Sequence, residues 1–197
     1  WTMAALHPDL FAAAAPLYGW AHTAPMENLC NVPVFNQHGT RDWVVPVDFS
    51  RYSLALLQRL GYTAAHKEFP EHGHNVPEVD AVAWMLHRRR PGEPECVVLT
   101  TDTADRASAY WLRLHRLRDP HVLTRVVARV SGRGPGQTVG LTAANADVVE
   151  LSVDRMPVDR QEALLVQAEQ CLLEVGAPLP ARLFLVRGSD RWTAVPR

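Results

Sequence analysis

Cysteine is scarce in this chain: Cys30, Cys96 and Cys171 are odd in number and widely separated. No CxxC pair and no Cys/His metal spacing occurs, so neither a disulfide framework nor a zinc site is supported. All three read as free, mostly buried thiols, with a single Cys30–Cys96 bridge as the lesser alternative. Charge of one sign is missing too. Twenty basic residues face 21 acidic ones for a net charge of -1, which removes the electrostatic footprint of a nucleic-acid binder. No apolar run reaches the roughly 18 residues that a membrane helix requires. Internal repeats and low-complexity tracts are absent. The opening, WTMAALHP, carries no initiator methionine, no signal-peptide pattern and no helix cap before its apolar phrase. The sequence is therefore expected to be the C-terminal portion of something longer.

A hydrophobic content of 47% and a charged content of 21% predict a packed core. Two patterns meet near Arg90-Pro91-Gly92-Glu93-Pro94. Before that break, residues 1–92 alternate strand and helix. Trp1–Leu6 reads as a helix end; Ala12–Leu17, Val32–Gln37 and Ala64–Phe69 read as short buried strands. Phe49–Leu60 has Tyr52, Leu56, Leu57 and Leu60 at helical spacing and Gly61 as its cap. Asp80–Arg90 is a further amphipathic helix, with Arg88, Arg89 and Arg90 expected in its last turn, where cations complement the helix dipole. This order predicts an α/β fold with a parallel sheet.

After the break, residues 93–197 carry short apolar or alternating runs at Cys96–Thr100, Ala109–Leu114, Val122–Val130, Thr138–Leu141, Val148–Val153, Ala163–Gln167, Cys171–Val175 and Leu183–Arg187. Turn signals separate them, among them Asn145-Ala146-Asp147 and Gly188-Ser189-Asp190. The spacing predicts an antiparallel, all-β, sandwich-like module. Gln161–Val175 reads as a pair of strands, with a helix as the alternative, because its Glu, Gln, Leu and Ala content suits both.

The chemistry sits between Pro33 and Glu78. One apolar strand ends in His38-Gly39, and the loop after it presents Asp42. A second strand ends in Phe69-Pro70 and runs into Glu71-His72-Gly73-His74. Loops after two parallel strands leave from the same sheet edge, where open α/β sheets place their sites. A carboxylate beside an imidazole is the orienter-and-base half of a Ser-His-Asp triad. The acid precedes the histidine by 32 residues (74 − 42), room for one helix and one strand. The bland reading of Asp42 is a turn aspartate satisfying local amides, and that of His74 is an unengaged loop histidine. Gly73 beside His74 argues for a special backbone geometry there, and His72 competes with His74 as the base. His38 reads as a structural strand exit. Trp20, Trp43 and Asn75 are candidate pocket-lining residues, with rim packing the equal alternative. Ser50 and Ser53 lie on a helix and not on a strained strand-to-helix elbow, so neither serves as the nucleophile.

HGTRDWVVP and then PEHGHNVPE resemble the C-terminal half of the prolyl-oligopeptidase-like and esterase branch of α/β-hydrolases. That branch has an HGxxDxxVP acid loop and a GH histidine loop. WTMAALHPDLFAAAAPLYGW is similar to the segment just after the nucleophile elbow in those enzymes. The resemblance covers about the first 90 residues. It implies a serine hydrolase of ester or peptide bonds, with Asp42 as the acid, His74 as the base, and the serine a few residues before Trp1. It implies no metal or organic cofactor, and a small ester or peptide as substrate. On that reading the 197 residues alone are inactive. TTDTADRASAYWLRLHRLRDP and TVGLTAANADVVELSV resemble the β-rich tail of some bacterial enzymes of this kind, many of them exported. Such a tail implies packing, homo-oligomerisation or substrate positioning, not catalysis. The alternative is a binding or structural module with a degenerate hydrolase domain.

Overall fold

A computed structural model describes residues 1–21, 24–75, 79–105, 107–189 and 191–197. The Val76-Pro77-Glu78 end of the histidine loop, Arg106 of the β-tail resemblance and Asp190 of the Gly188 turn lie outside the described residues. The chain divides into two compact units, Trp1–Pro91 and Gly92–Arg197.

The first unit is a mixed α/β structure. Its regular elements are α1 (Thr2–Leu6), β1 (Val34–Gly39), α2 (Val47–Arg59), β2 (Ala64–Phe69) and α3 (Val79–Leu86), with 3-10 turns at Pro8–Leu10 and Ala24–Asn31. β1 and β2 pair in parallel from Val34 opposite Ala64 to Gly39 opposite Phe69. On the other side of β1 the segment predicted as a strand at Ala12–Leu17 makes two isolated parallel bridges, Ala14 to Val34 and Leu17 to Gln37. Pro16 lacks the N–H for a full ladder, yet its carbonyl still accepts from the Gln37 N–H at 3.0 Å. Ala4, Ala5, Met26, Leu29, Val32, Val34 and Leu57 form the core of this unit.

Helix α2 starts after Pro46 with Asp48 in its first turn, where an acid complements the dipole. It stops at Gly61, whose φ of 75° few other residues adopt readily. The Tyr62 N–H then donates to Leu57 O and the Gly61 N–H to Gln58 O, both at 3.0 Å, which closes the helix end as a Schellman turn. Helix α3 ends at Leu86 and not at Arg90. The expected arginine-rich last turn is therefore corrected: Pro91 disfavours helical backbone in the residue before it, and the Arg88 guanidinium folds back to 4.3 Å over the Trp84 ring.

The second unit holds two five-stranded sheets that share one buried cluster. The first has the order β10 (Cys171–Val175), β9 (Leu164–Ala168), β7 (Thr138–Ala144), β6 (Thr124–Ser131), β3 (Cys96–Thr101). The second runs β12 (Trp192–Pro196), β11 (Arg182–Arg187), β8 (Ala146–Ser152), β5 (Leu112–Leu117), β4 (Ser108–Ala109). Three expectations change. The run Ala109–Leu114 is broken by a tight turn with Tyr110 at φ 53°, so it spans β4 and β5. The pairing is not wholly antiparallel: β7 and β9 lie parallel, because β8 crosses to the other sheet between them. β12, which no run predicted, closes an edge. Gln161–Val175 resolves as strands, turned at Glu169 with φ 55°. Asn145, at φ 60° between β7 and β8, donates from its amide to the carbonyls of Asp119 at 2.8 Å and Val122 at 2.7 Å, which ties two loops together.

The cluster depends on inward residues such as Leu151, which has no exposure. Leu151→Ala is expected to cost about 2–5 kcal/mol for a buried leucine truncation, read as a lower urea midpoint for unfolding of Gly92–Arg197.

Candidate active site

Because β1 and β2 are parallel and in register to their last residues, the loops after them leave side by side. Backbone hydrogen bonds zip the two loops together. The Thr40 N–H donates to Phe69 O at 3.0 Å and the Arg41 N–H to His72 O at 2.9 Å. Gly39 permits this approach: a β-carbon there would stand 2.3 Å from the carbonyl oxygens of both His72 and Gly73. The special geometry assigned to Gly73 belongs to its neighbours instead. Gly73 has no positive φ, whereas Glu71 sits at φ 65° and Gly39 at the point of contact.

The Asp42 carboxylate divides its oxygens. Oδ1 accepts from the N–H groups of Val44 and Val45, both at 2.9 Å. Oδ2 lies 2.8 Å from Nδ1 of His74. Asp42 therefore satisfies local turn amides through one oxygen and faces an imidazole through the other. Burial by itself pushes the carboxyl upward. The Val45 N–H, the His74 hydrogen bond, the Val44 N–H and the charge of His74 outweigh it and hold Asp42 below the ordinary carboxylate range.

With Nδ1–H donated to a carboxylate, the Nε2 lone pair of His74 is left to take a proton, the arrangement a base needs. The ring is about a third exposed, and the Tyr18 ring packs against it with centroids 4.5 Å apart. Tyr18 was not singled out from the sequence; its φ of 39°, unusual for a bulky side chain, marks it in the structure. His72 does not reach the acid. Its Nδ1 faces Asn75 O at 3.1 Å and its ring meets Phe69.

The other candidates separate. Trp20 lines an open, largely apolar groove of about 580 Å³ with Ala21, Pro46, Asp48, Phe49, Tyr52 and Ser53. Trp43 is 86% exposed beside the acid, and Asn75 is exposed beside the histidine. Ser50 and Ser53 are buried on α2. His38, read as a strand exit, is buried and lies 3.1 Å from Asp42 Oδ2 through Nε2. Its spacing of four residues from Asp42 was the available signal. Among the described residues no group of three or more His, Cys, Asp or Glu side chains could hold a metal ion.

No protein-family model matches the chain. Over 61 residues, 30% of its length, the chain is 41% identical to acyl-protein thioesterase 1 of Gibberella zeae. It spans about a quarter (26%) of that curated relative. Among solved structures, a thermostable esterase matches at 25% identity with a TM-score of 0.40, over 46% of this chain and 28% of that one. Esterase PE8 matches at 28% identity with a TM-score of 0.33, over 38% and 37%.

The depressed carboxyl of Asp42 has a definite sign in stability. Its folded pKa lies below the unfolded value of about 3.9. The contribution is thus fully present above that value and is lost as pH falls through the folded one. Asp42→Asn is expected to lower the unfolding free energy of Trp1–Pro91 at pH 7 by about 1–3 kcal/mol. In urea titrations from pH 7 to pH 2 the gap to the unsubstituted protein should close below about pH 4.

Proposed function

We propose that Trp1–Pro91 is part of an α/β-hydrolase domain of a serine hydrolase that cleaves ester or peptide bonds through an acyl-enzyme. Asp42 orients His74. His74 takes the proton of the attacking serine and returns it to the leaving group. The serine and its oxyanion-hole amides come from a segment preceding Trp1. The observation that carries this reading is the 2.8 Å contact from His74 Nδ1 to Asp42 Oδ2, with Oδ1 already occupied by two backbone amides. The 61-residue similarity to a thioesterase favours ester-type over peptide substrates. The prolyl-oligopeptidase-like assignment is the finer form of the same reading. Trp20, Trp43 and Asn75 line the substrate side of the pair, and Gly92–Arg197 is a sandwich-like module that serves packing, assembly or substrate positioning.

The test is made on the protein extended through its upstream elbow. It should label with a fluorophosphonate probe and hydrolyse p-nitrophenyl acetate. Asp42→Asn is expected to lose roughly 10⁴-fold in kcat and His74→Ala on the order of 10⁶-fold, while the 197-residue chain neither labels nor turns over. No labelling of the extended protein, or turnover indifferent to both substitutions, would sink the proposal and leave a binding module as the reading.

A further inference from the structure

Asp42 Oδ2 faces a second imidazole besides His74. Nε2 of His38 lies 3.1 Å from that oxygen and 2.8 Å from the carbonyl oxygen of Val45. A carbonyl can only accept, so Nε2 carries the hydrogen and donates it to Val45, with the Asp42 oxygen a close ion-pair contact at 3.1 Å. In the neutral ring Nδ1 then holds a lone pair. Ser50 Oγ, on the first turn of α2, sits 2.6 Å from it, and its one hydroxyl proton is shared between that lone pair and the Gly19 carbonyl. The same Oγ lies 3.2 Å from the carbonyl oxygen of Gly19, next to Tyr18, whose ring packs on His74.

His38 and Ser50 are both 0% exposed. No substrate reaches them, and the Ser50–His38–Asp42 series is not a second active site. We propose instead that His38 and Ser50 are positioning residues for the acid–base pair. The two N–H groups on Oδ1 hold one oxygen of the Asp42 carboxylate and leave Oδ2, the oxygen that meets His74, to other neighbours. The His38 Nε2 edge, 3.1 Å from Oδ2, is the second fixed point, and Ser50 holds the His38 ring in the orientation that places it there. This inference rests on the reading of Asp42 and His74 as acid and base.

The proton between His74 Nδ1 and Asp42 is the readout, followed by NMR as a far-downfield imidazole resonance and by its exchange with water. Asp42→Asn should abolish that resonance. His38→Leu and Ser50→Ala should speed its exchange roughly five- to tenfold, as expected for loss of one hydrogen bond. His38→Gln, whose amide N–H can occupy the place of Nε2–H, should restore it to within about threefold, well inside the span of one hydrogen bond. If His38 only fills space, leucine preserves the exchange rate. Folded His38→Leu or Ser50→Ala protein with an unchanged rate overturns the proposal. Where leucine prevents folding, Ser50→Ala and His38→Gln decide it: an unchanged rate in Ser50→Ala counts against positioning, and so does a His38→Gln rate more than about threefold from that of the unsubstituted protein. A resonance insensitive to Asp42→Asn removes the acid–base pair and the positioning role together. An inactive extended protein whose resonance still depends on His38 removes only the hydrolase reading.

Discussion

The first unit is organised around one buried carboxylate. A buried charge is costly unless it is hydrogen-bonded, and Asp42 collects two backbone amides on Oδ1 and the His74 imidazole on Oδ2, with the His38 ring 3.1 Å from Oδ2. These neighbours come from three constraints. Val44 and Val45 require the turn after β1, His38 requires the last inward position of β1, and His74 requires the loop after β2. The carboxylate thereby couples the strand pairing, the acid loop and the histidine loop.

Helix α2 serves that centre from outside. Its Schellman end and acidic first turn set where it begins and stops, and this places Ser50 against His38. On the outer surface Arg51 forms a bidentate pair with Glu68 of β2, both contacts at 2.7 Å, and also reaches Asp48. Exposed pairs contribute little, so the core around Leu57 and Val34 carries the helix, while the Arg51 fork sets its azimuth against β2. The lack of a side chain at Gly39 is as important as any contact, because the two loops can zip only where no β-carbon intervenes.

Local patterning made much of this legible. β2 coincides with its apolar run, β1 and α2 differ from theirs by two residues at each end or less, and the strand reading of Gln161–Val175 matches the two strands found there. The failures share a cause: the period of a run does not report a break in backbone direction. Ala109–Leu114 looks continuous but turns at Tyr110. The Arg88–Arg90 run looks helical by its neighbours, but Pro91 and the Trp84 stacking draw it out of the helix. The β7–β9 pairing was hidden because parallel neighbours are set by the path through the other sheet, which no local signal encodes.

The acid and histidine were visible as residues at the right separation in the right two loops, since loop chemistry and strand order are written locally. Between His72 and His74 the sequence offered a preference for His74, by resemblance, and that ring is the one at Asp42. His72 and His74 differ by two positions, and the choice falls to backbone that Glu71 turns and the Gly39 contact clamps. Spacing could not show that Asp42 meets turn amides and an imidazole at once, or that His38 and Ser50 stand behind it. The sequence by itself determined the element types, the break near Pro91 and the two loops that carry an acid and a histidine, because these follow from periodicity and turn chemistry. Only the tertiary structure decided how two amides and two imidazole rings surround one carboxylate, because contact geometry is fixed by where separate strands and a helix are packed together.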